Sequence, residues 1–197
     1  MQSVIGGLPL ETSLRSSFQL LKYFMLLILF DILSGALVSN CISGTKTFVL
    51  LRSGWKVWFR KVLLRVLCAV GCAALLLLLP TWLMQPEPET LFAWLLFLLY
   101  AASCAAIQTL LIAYTQKESV GLATLLFFQL CSVFLSKQLP GNWKLLLFGN
   151  WGCWVRTTSA GEAQGVTLSA CIVLNLATLL LIYVFGWRLV RRHHQKR

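Results

Sequence analysis

The chain has 197 residues, of which 58% are hydrophobic and only 12% are charged. Soluble domains are about 25% charged, so this composition excludes an ordinary soluble protein. The formal net charge is +11. The Lys and Arg residues lie beside apolar stretches and not on a basic soluble face, which indicates lipid headgroups and argues against nucleic acid.

The apolar residues form five blocks, at residues 18–39, 62–84, 91–114, 120–136 and 166–187. Each block is long enough for a helix across a hydrocarbon core about 30 Å thick, and the fourth is barely so. Backbone polar groups find no water in lipid, and the blocks lack the alternating pattern of barrel strands. The sequence therefore predicts one all-α domain over residues 1–197, a polytopic transmembrane bundle of about five spans.

The distribution of basic residues predicts the orientation of the chain. The connection between the first two spans contains bases and no acid, namely Lys46, Arg52, Lys56, Arg60 and Lys61, whereas the next contains Glu87 and Glu89 and no base. The first connection is therefore expected in the cytoplasm and the second outside. The N-terminus is then external and the basic C-terminus cytoplasmic, an unusual start that suggests a missing preceding span.

Residues 45–61, TKTFVLLRSGWKVWFRK, are predicted to form a cytoplasmic amphipathic helix. At 100° per residue, one side collects Phe48, Leu51, Trp55, Trp58 and Phe59, and another collects Arg52, Lys56 and Arg60. Such a helix fits the membrane surface, with its bases against anionic lipid. It equally fits a docking helix for a cytoplasmic partner, and both roles are compatible.

Four polar residues inside predicted spans are candidates for a transport path. Asp31 is the only acid in a span, and an acid is costly enough in lipid to indicate function. Because it lies nearer the cytoplasmic end of its span, the alternative is a simple contact with water or with a neighbouring helix. The amides Gln108, Gln129 and Asn175 either line the same path or bond between helices, and the structural role is the more common.

Residues 137–165 are predicted to form an external re-entrant or interfacial pair of short helices. The run PGNWKLLLFGNWGCWVR is apolar and rich in Trp, but it is too short and too interrupted by Gly to span. Trp143, Trp151 and Trp154 are the expected interface anchors.

The sequence offers no complete active site, so we expect no enzyme and assign no catalytic residue. The only His residues, His193 and His194, follow the last span, and no HExxH, Walker or GxSxG motif occurs. The seven Cys residues show neither a disulfide framework nor metal-ligand spacing. No metal or cofactor is therefore expected on this chain.

Two stretches carry a family resemblance, VLLRSGWKVWFRKVLL and PGNWKLLLFGNWGCWVRTTS. With the order of spans, they resemble the permease subunits of bacterial type-2 ABC exporters, especially those of peptide-antibiotic export and immunity systems. The first looks like that family's segment before its third span, and the second like its stretch before the last span. The family usually has six spans, so the resemblance implies that this chain lacks the first.

The resemblance implies a permease subunit of the plasma membrane that exports a substrate using a separate ABC ATPase, which would bind ATP and Mg. The implied ATPase-coupling helix contains Phe48, Leu51, Arg52, Trp55, Lys56, Trp58 and Arg60. The implied re-entrant part contains Asn142, Trp143, Asn150, Trp151 and Arg156. A second permease chain, identical or different, is implied as well. The alternative is a non-transporting membrane sensor, immunity or assembly protein.

Overall fold

The computed structural model describes residues 14–84, 88–136, 138–160 and 165–195. Within these ranges it describes all side chains except those of residues 14–24, 43–53, 77–84, 88, 133, 141, 142, 155, 160 and 195. The described residues form the α-helices α1 (Leu14–Met84), α2 (Pro88–Thr115), α3 (Glu118–Leu135) and α4 (Leu168–Gln195). Between α3 and α4 lie four short 3-10 helices, Gly141–Leu146, Phe148–Gly152, Trp154–Arg156 and Thr158–Ala160.

The described residues form no strand, only one isolated bridge between Thr157 and Val166. The prediction of an all-α fold is confirmed for the described residues. Within the described part of the chain, three segments are long and apolar enough to cross a membrane, namely Met25–Ile42, Glu89–Thr115 and Leu168–His194. The apolar part of α3, Glu118–Ser132, is shorter.

Helix α1 differs from the predicted arrangement of a span, a separate amphipathic helix and a second span. Helical backbone continues from Leu14 to Met84, and the interruption lies at Gly54, where φ is 74° and ψ is 166°. Glycine reaches a positive φ at little cost because it has no Cβ. The element therefore consists of two helical halves, residues 14–53 and 55–84, and the break falls inside the predicted 45–61 helix.

Local sequence signals account for the ends of α2 and the start of α3. Pro88 begins α2, because a proline loses nothing at the first helical position, and Glu89 follows in its first turn. After Thr115 the chain turns at Gln116 with a φ of 62°. Glu118 then lies in the first turn of α3.

Helix α2 lies at the centre of the bundle and contacts α1, α3 and α4. In its span 61% of the residues are buried, against 17% in the span of α4. Its buried side includes Ala101, Cys104, Ala105 and Ala106. Small residues such as these let neighbouring helices approach closely in a membrane. The outward apolar side chains of α4 are suited to lipid.

Candidate functional site

Three helices bring predicted path residues together around Asp31. The Asp31 side chain is only 2% exposed. From α3, Gln129 Nε2 donates a hydrogen bond of 3.2 Å to Asp31 Oδ2. The same nitrogen lies 3.6 Å from Cys104 Sγ of α2. A carboxyl group, an amide and a thiol thus meet inside the apolar bundle.

Gln108 joins this cluster through Ser34. The Ser34 hydroxyl hydrogen-bonds with Gln108 Oε1 of α2. It also lies 3.1 Å from the backbone oxygen of Asp31, one turn earlier on α1. Two atoms of the cluster, Gln108 Nε2 and Gln129 Oε1, are buried without a hydrogen-bond partner among the described residues. Buried polar atoms without a hydrogen-bond partner are rare in native proteins.

The cluster extends toward the α2–α3 turn through Glu118. A Cβ added to Gly35 would lie 2.8 Å from Gln108 Nε2 and 3.4 Å from Glu118 Oε1, so both side chains reach the same point on α1. Glu118 itself is exposed. A polar row therefore runs from the exposed start of α3 to the buried Asp31, and we call Glu118, Gln108, Ser34 and Asp31 the α1–α3 polar row.

Asn175 lies apart from this row. Its side-chain nitrogen donates to the backbone oxygens of Cys171 and Trp151, at 2.9 and 3.2 Å. Its backbone oxygen lies 3.3 Å from the Ser103 hydroxyl of α2. The predicted path residues thus separate into Asp31, Gln108 and Gln129 at one place and Asn175 at another, where it joins α4 to the 137–165 segment.

The start of the 55–84 half turns its aromatic residues inward. Trp58 and Phe59 are buried. Phe59 packs against the backbone of α4, where a Cβ on Gly186 would lie 2.8 Å from its ring. The Arg60 guanidinium lies 4.4 Å from the ring centroid of Tyr183. The predicted docking helix would present Trp58, Phe59 and Arg60 to a partner. In the structure these side chains instead contact other parts of the same bundle.

Trp55 makes its contact with the end of α4. Its ring stacks on His194, with centroids 5.1 Å apart and an interplanar angle of 12°. His194 Nε2 also lies 3.0 Å from the backbone oxygen of Ala113. The end of α4 thereby holds the start of the 55–84 half beside the α2–α3 turn. Lys56, Val57 and Lys61 remain exposed, while the predicted contacts of Phe48, Leu51 and Arg52 lie outside the described side chains.

The 137–165 segment is anchored by a buried polar network. Arg156 Nη1 donates to Asn150 Oδ1 at 2.6 Å and to Ser136 Oγ at 3.0 Å. Asn150 Nδ2 donates to the Lys144 backbone oxygen at 2.7 Å. Arg156, Asn150 and Lys144 are each at most 3% exposed. The network joins the short 3-10 helices to the end of α3.

The predicted interface tryptophans of this segment differ in exposure. Trp143 is 64% exposed, whereas Trp154 is 8% exposed. Trp151 is half-buried and its Nε1 donates to the Leu145 backbone oxygen at 2.7 Å. Trp143 alone of the three has the exposure of an interface anchor. The side chain of Asn142, predicted in the same stretch, lies outside the described side chains.

Sequence reasoning did not assign Ser34, Glu118 or Ser136 to these clusters. Ser34 follows Asp31 by three residues, and that spacing places both on one helix face. Ser136 precedes the 3-10 segment and carries no motif. The sequence indicates for Glu118 only an acidic residue in the first turn of a helix. A helical wheel could have found Ser34, but not the other two.

No group of three or more His, Cys, Asp or Glu side chains in the described part of the chain is placed to hold a metal ion. Comparisons with protein-family models, curated proteins and solved structures found no match to this chain.

Proposed function

We propose that this chain is the membrane-spanning permease subunit of an ATP-driven export system of the type-2 ABC class. A separate ATPase subunit binds ATP and Mg and supplies the energy. The chain crosses the plasma membrane about five times, with its N-terminus external and its C-terminus cytoplasmic. A second permease chain completes the transport path, because a bundle this small encloses none alone. Residues 137–165 form the external re-entrant part.

The observation that carries this proposal is the fixed surface at the start of the 55–84 half. Its inner side packs on α4 through Phe59 and Trp55, while Lys56, Val57 and Lys61 are exposed. A rigid exposed surface with two cations and an apolar residue suits docking to a protein partner with an acidic rim. Because the positive-inside rule puts this surface on the cytoplasmic side of the membrane, an ATPase can reach it.

The second candidate is a non-transporting membrane protein, such as a sensor, immunity or assembly protein. The inward packing of Trp55 and Trp58 favours it, because these rings were the expected anchors for a partner and are occupied within the chain. Under this alternative, Lys56 and Lys61 interact only with anionic lipid headgroups.

Trp55→Ala does not separate these candidates, because it also removes the stacking on His194. Charge reversal at Lys56 separates the two candidates better, since this side chain is exposed. The chain is purified from its own cells in mild detergent, and retained protein is assayed for ATP hydrolysis and identified by mass spectrometry. We expect an ABC ATPase with the wild type and several-fold lower recovery with Lys56→Glu.

Arg191→Glu, an exposed charge reversal on α4, is the matched control and should leave recovery unchanged. Undiminished recovery with Lys56→Glu and with Val57→Asp would refute docking through this surface. Purification without any ATPase would favour the non-transporting alternative.

A further inference from the structure

In the contact between Asp31 and Gln129, only one end of the Gln129 amide has a hydrogen-bond partner among the described residues. Gln129 Nε2 donates to Asp31 Oδ2 at 3.2 Å. The oxygen of the same amide, Oε1, is buried and receives no hydrogen bond from the described residues. Beside it is a carboxyl group, which accepts hydrogen bonds through both oxygens when ionised and donates none.

A single proton completes this contact. A neutral carboxylic acid keeps one accepting oxygen and gains an O–H donor. A carboxylic acid beside a primary amide can then form two hydrogen bonds, one from the amide N–H to the acid and one from the acid O–H to the amide oxygen. A proton on Oδ1 of Asp31 supplies the donor that Gln129 Oε1 lacks.

The surroundings of Asp31 favour the same state. In the part of the chain with described side chains, no Lys, Arg or His forms an ion pair with Asp31, and the group that bonds to it is Gln129. The titratable groups facing it are Cys104 of α2 and, at the far end of the polar row, Glu118 of α3. Among the described side chains of α4 and the 3-10 helices, none forms an ion pair or a hydrogen bond with the Asp31 carboxyl group. An ionised carboxylate at this depth has no compensating charge, and burial of such a charge is costly.

The α1–α3 polar row gives the proton an approach. Glu118 is exposed at the start of α3, and its carboxylate lies beside Gln108 at Gly35. The Ser34 hydroxyl bonds to Gln108 and lies against the backbone of Asp31. The polar groups therefore lead inward from the α2–α3 turn.

We propose that Asp31 is a proton-binding site of the bundle, held by Gln129 and reached from the α2–α3 turn past Glu118 and Ser34. A hydronium ion transfers its proton to Oδ1, an O–H bond forms, water is released, and the carboxyl charge changes from −1 to zero. The α1–α3 contact then changes from one hydrogen bond to two, so the packing of these helices responds to pH on the side of the turn. The proposal goes beyond the permease function and does not depend on an ATPase.

Asp31 can be observed alone because it is the only aspartate in the sequence. Cell-free synthesis with aspartate labelled by ¹³C at the side-chain carboxyl marks only this residue. The labelled protein is placed in phosphatidylcholine bilayers, and the ¹³C chemical shift is followed by solid-state NMR from acid to alkaline pH. We expect the shift of a neutral carboxylic acid at neutral pH and conversion to carboxylate only at alkaline pH. The shift of a carboxylate at neutral pH would overturn the proton site.

The approach is tested by kinetics. Infrared spectroscopy follows the isotope-shifted acid carbonyl of labelled Asp31 after a rapid pH change. We expect Glu118→Gln to slow the response by about tenfold, the change that corresponds to about 1.4 kcal/mol in the barrier. Glu89→Gln, an exposed acid at the opposite end of α2, is the matched control and should not slow it. An unchanged rate in Glu118→Gln would overturn the approach past Glu118.

Discussion

Replacing Asn150 by Ala tests whether the buried polar network holds the 137–165 segment on the bundle. The side chain is fully buried and has hydrogen bonds on both ends of its amide. Its oxygen accepts from Arg156 Nη1 at 2.6 Å, and its nitrogen donates to the Lys144 backbone oxygen at 2.7 Å. Alanine removes both contacts and leaves the backbone turn of the 3-10 helix in place.

The expected loss follows from the character of the two bonds. A hydrogen bond to a charged group contributes about 1.5–3 kcal/mol, and one between neutral groups about 0.5–1.5 kcal/mol. The Arg156 bond belongs to the first class and the Lys144 bond to the second. The Ser136 hydroxyl adds little to this sum, because its single proton is shared between Asn150 Oδ1 and the Ser132 backbone oxygen. Asn150→Ala should therefore lower the free energy of unfolding by about 3 kcal/mol.

The measurement is unfolding of the purified protein by increasing sodium dodecyl sulfate in mixed micelles, followed by tryptophan fluorescence. Gln138→Ala is the matched control, because it removes an exposed amide from the same segment and keeps the backbone bond from Gln138 N to Leu135 O. We expect no measurable change there. Equal stability of Asn150→Ala and Gln138→Ala would refute the reasoning that the network anchors the segment.

Two further predictions concern helix packing and topology. Gly186→Ala places a methyl group 2.8 Å from the Phe59 ring and should cost about 1–3 kcal/mol of unfolding free energy, whereas Gly71→Ala meets nothing within 4 Å and should be neutral or stabilising in the same assay. If both variants are equally stable, the close approach of α1 and α4 is contradicted. In a Cys-depleted background, an impermeant thiol reagent applied to intact cells should label a Cys placed at Gln85 and not one at Gln195. The reverse pattern would invert the proposed topology.

The apolar blocks of the sequence were sufficient to predict the all-α fold class and the positions of several helices. The block 91–114 lies within α2, and the block 166–187 overlaps α4, which continues beyond it to Gln195. A long apolar run in lipid must satisfy its backbone hydrogen bonds within itself. The separation of α1 into span, surface helix and span was not recovered. The helical backbone continues across residues 40–44, and within α1 the interruption lies at Gly54.

The candidate site was only partly predictable from the sequence. Burial cost identified Asp31 as unusual, and the rarity of amides in spans identified Gln108 and Gln129. Their meeting is a tertiary fact, since Asp31 and Gln129 are 98 residues apart and lie on different helices. The same reasoning grouped Asn175 with them, and packing placed it instead against Trp151.

The amphipathic pattern of residues 45–61 shows which structural features the sequence alone does not predict. A helical wheel determined which residues of the 45–61 stretch share a face, because that depends only on the helical repeat. It did not determine what covers the face. The end of α4 covers Trp55, and its Gly186 backbone admits the Phe59 ring. Composition and spacing thus determined a basic, helical chain with helices apolar enough to span a membrane, while only the packing of distant helices decided which polar groups meet inside it and which remain exposed.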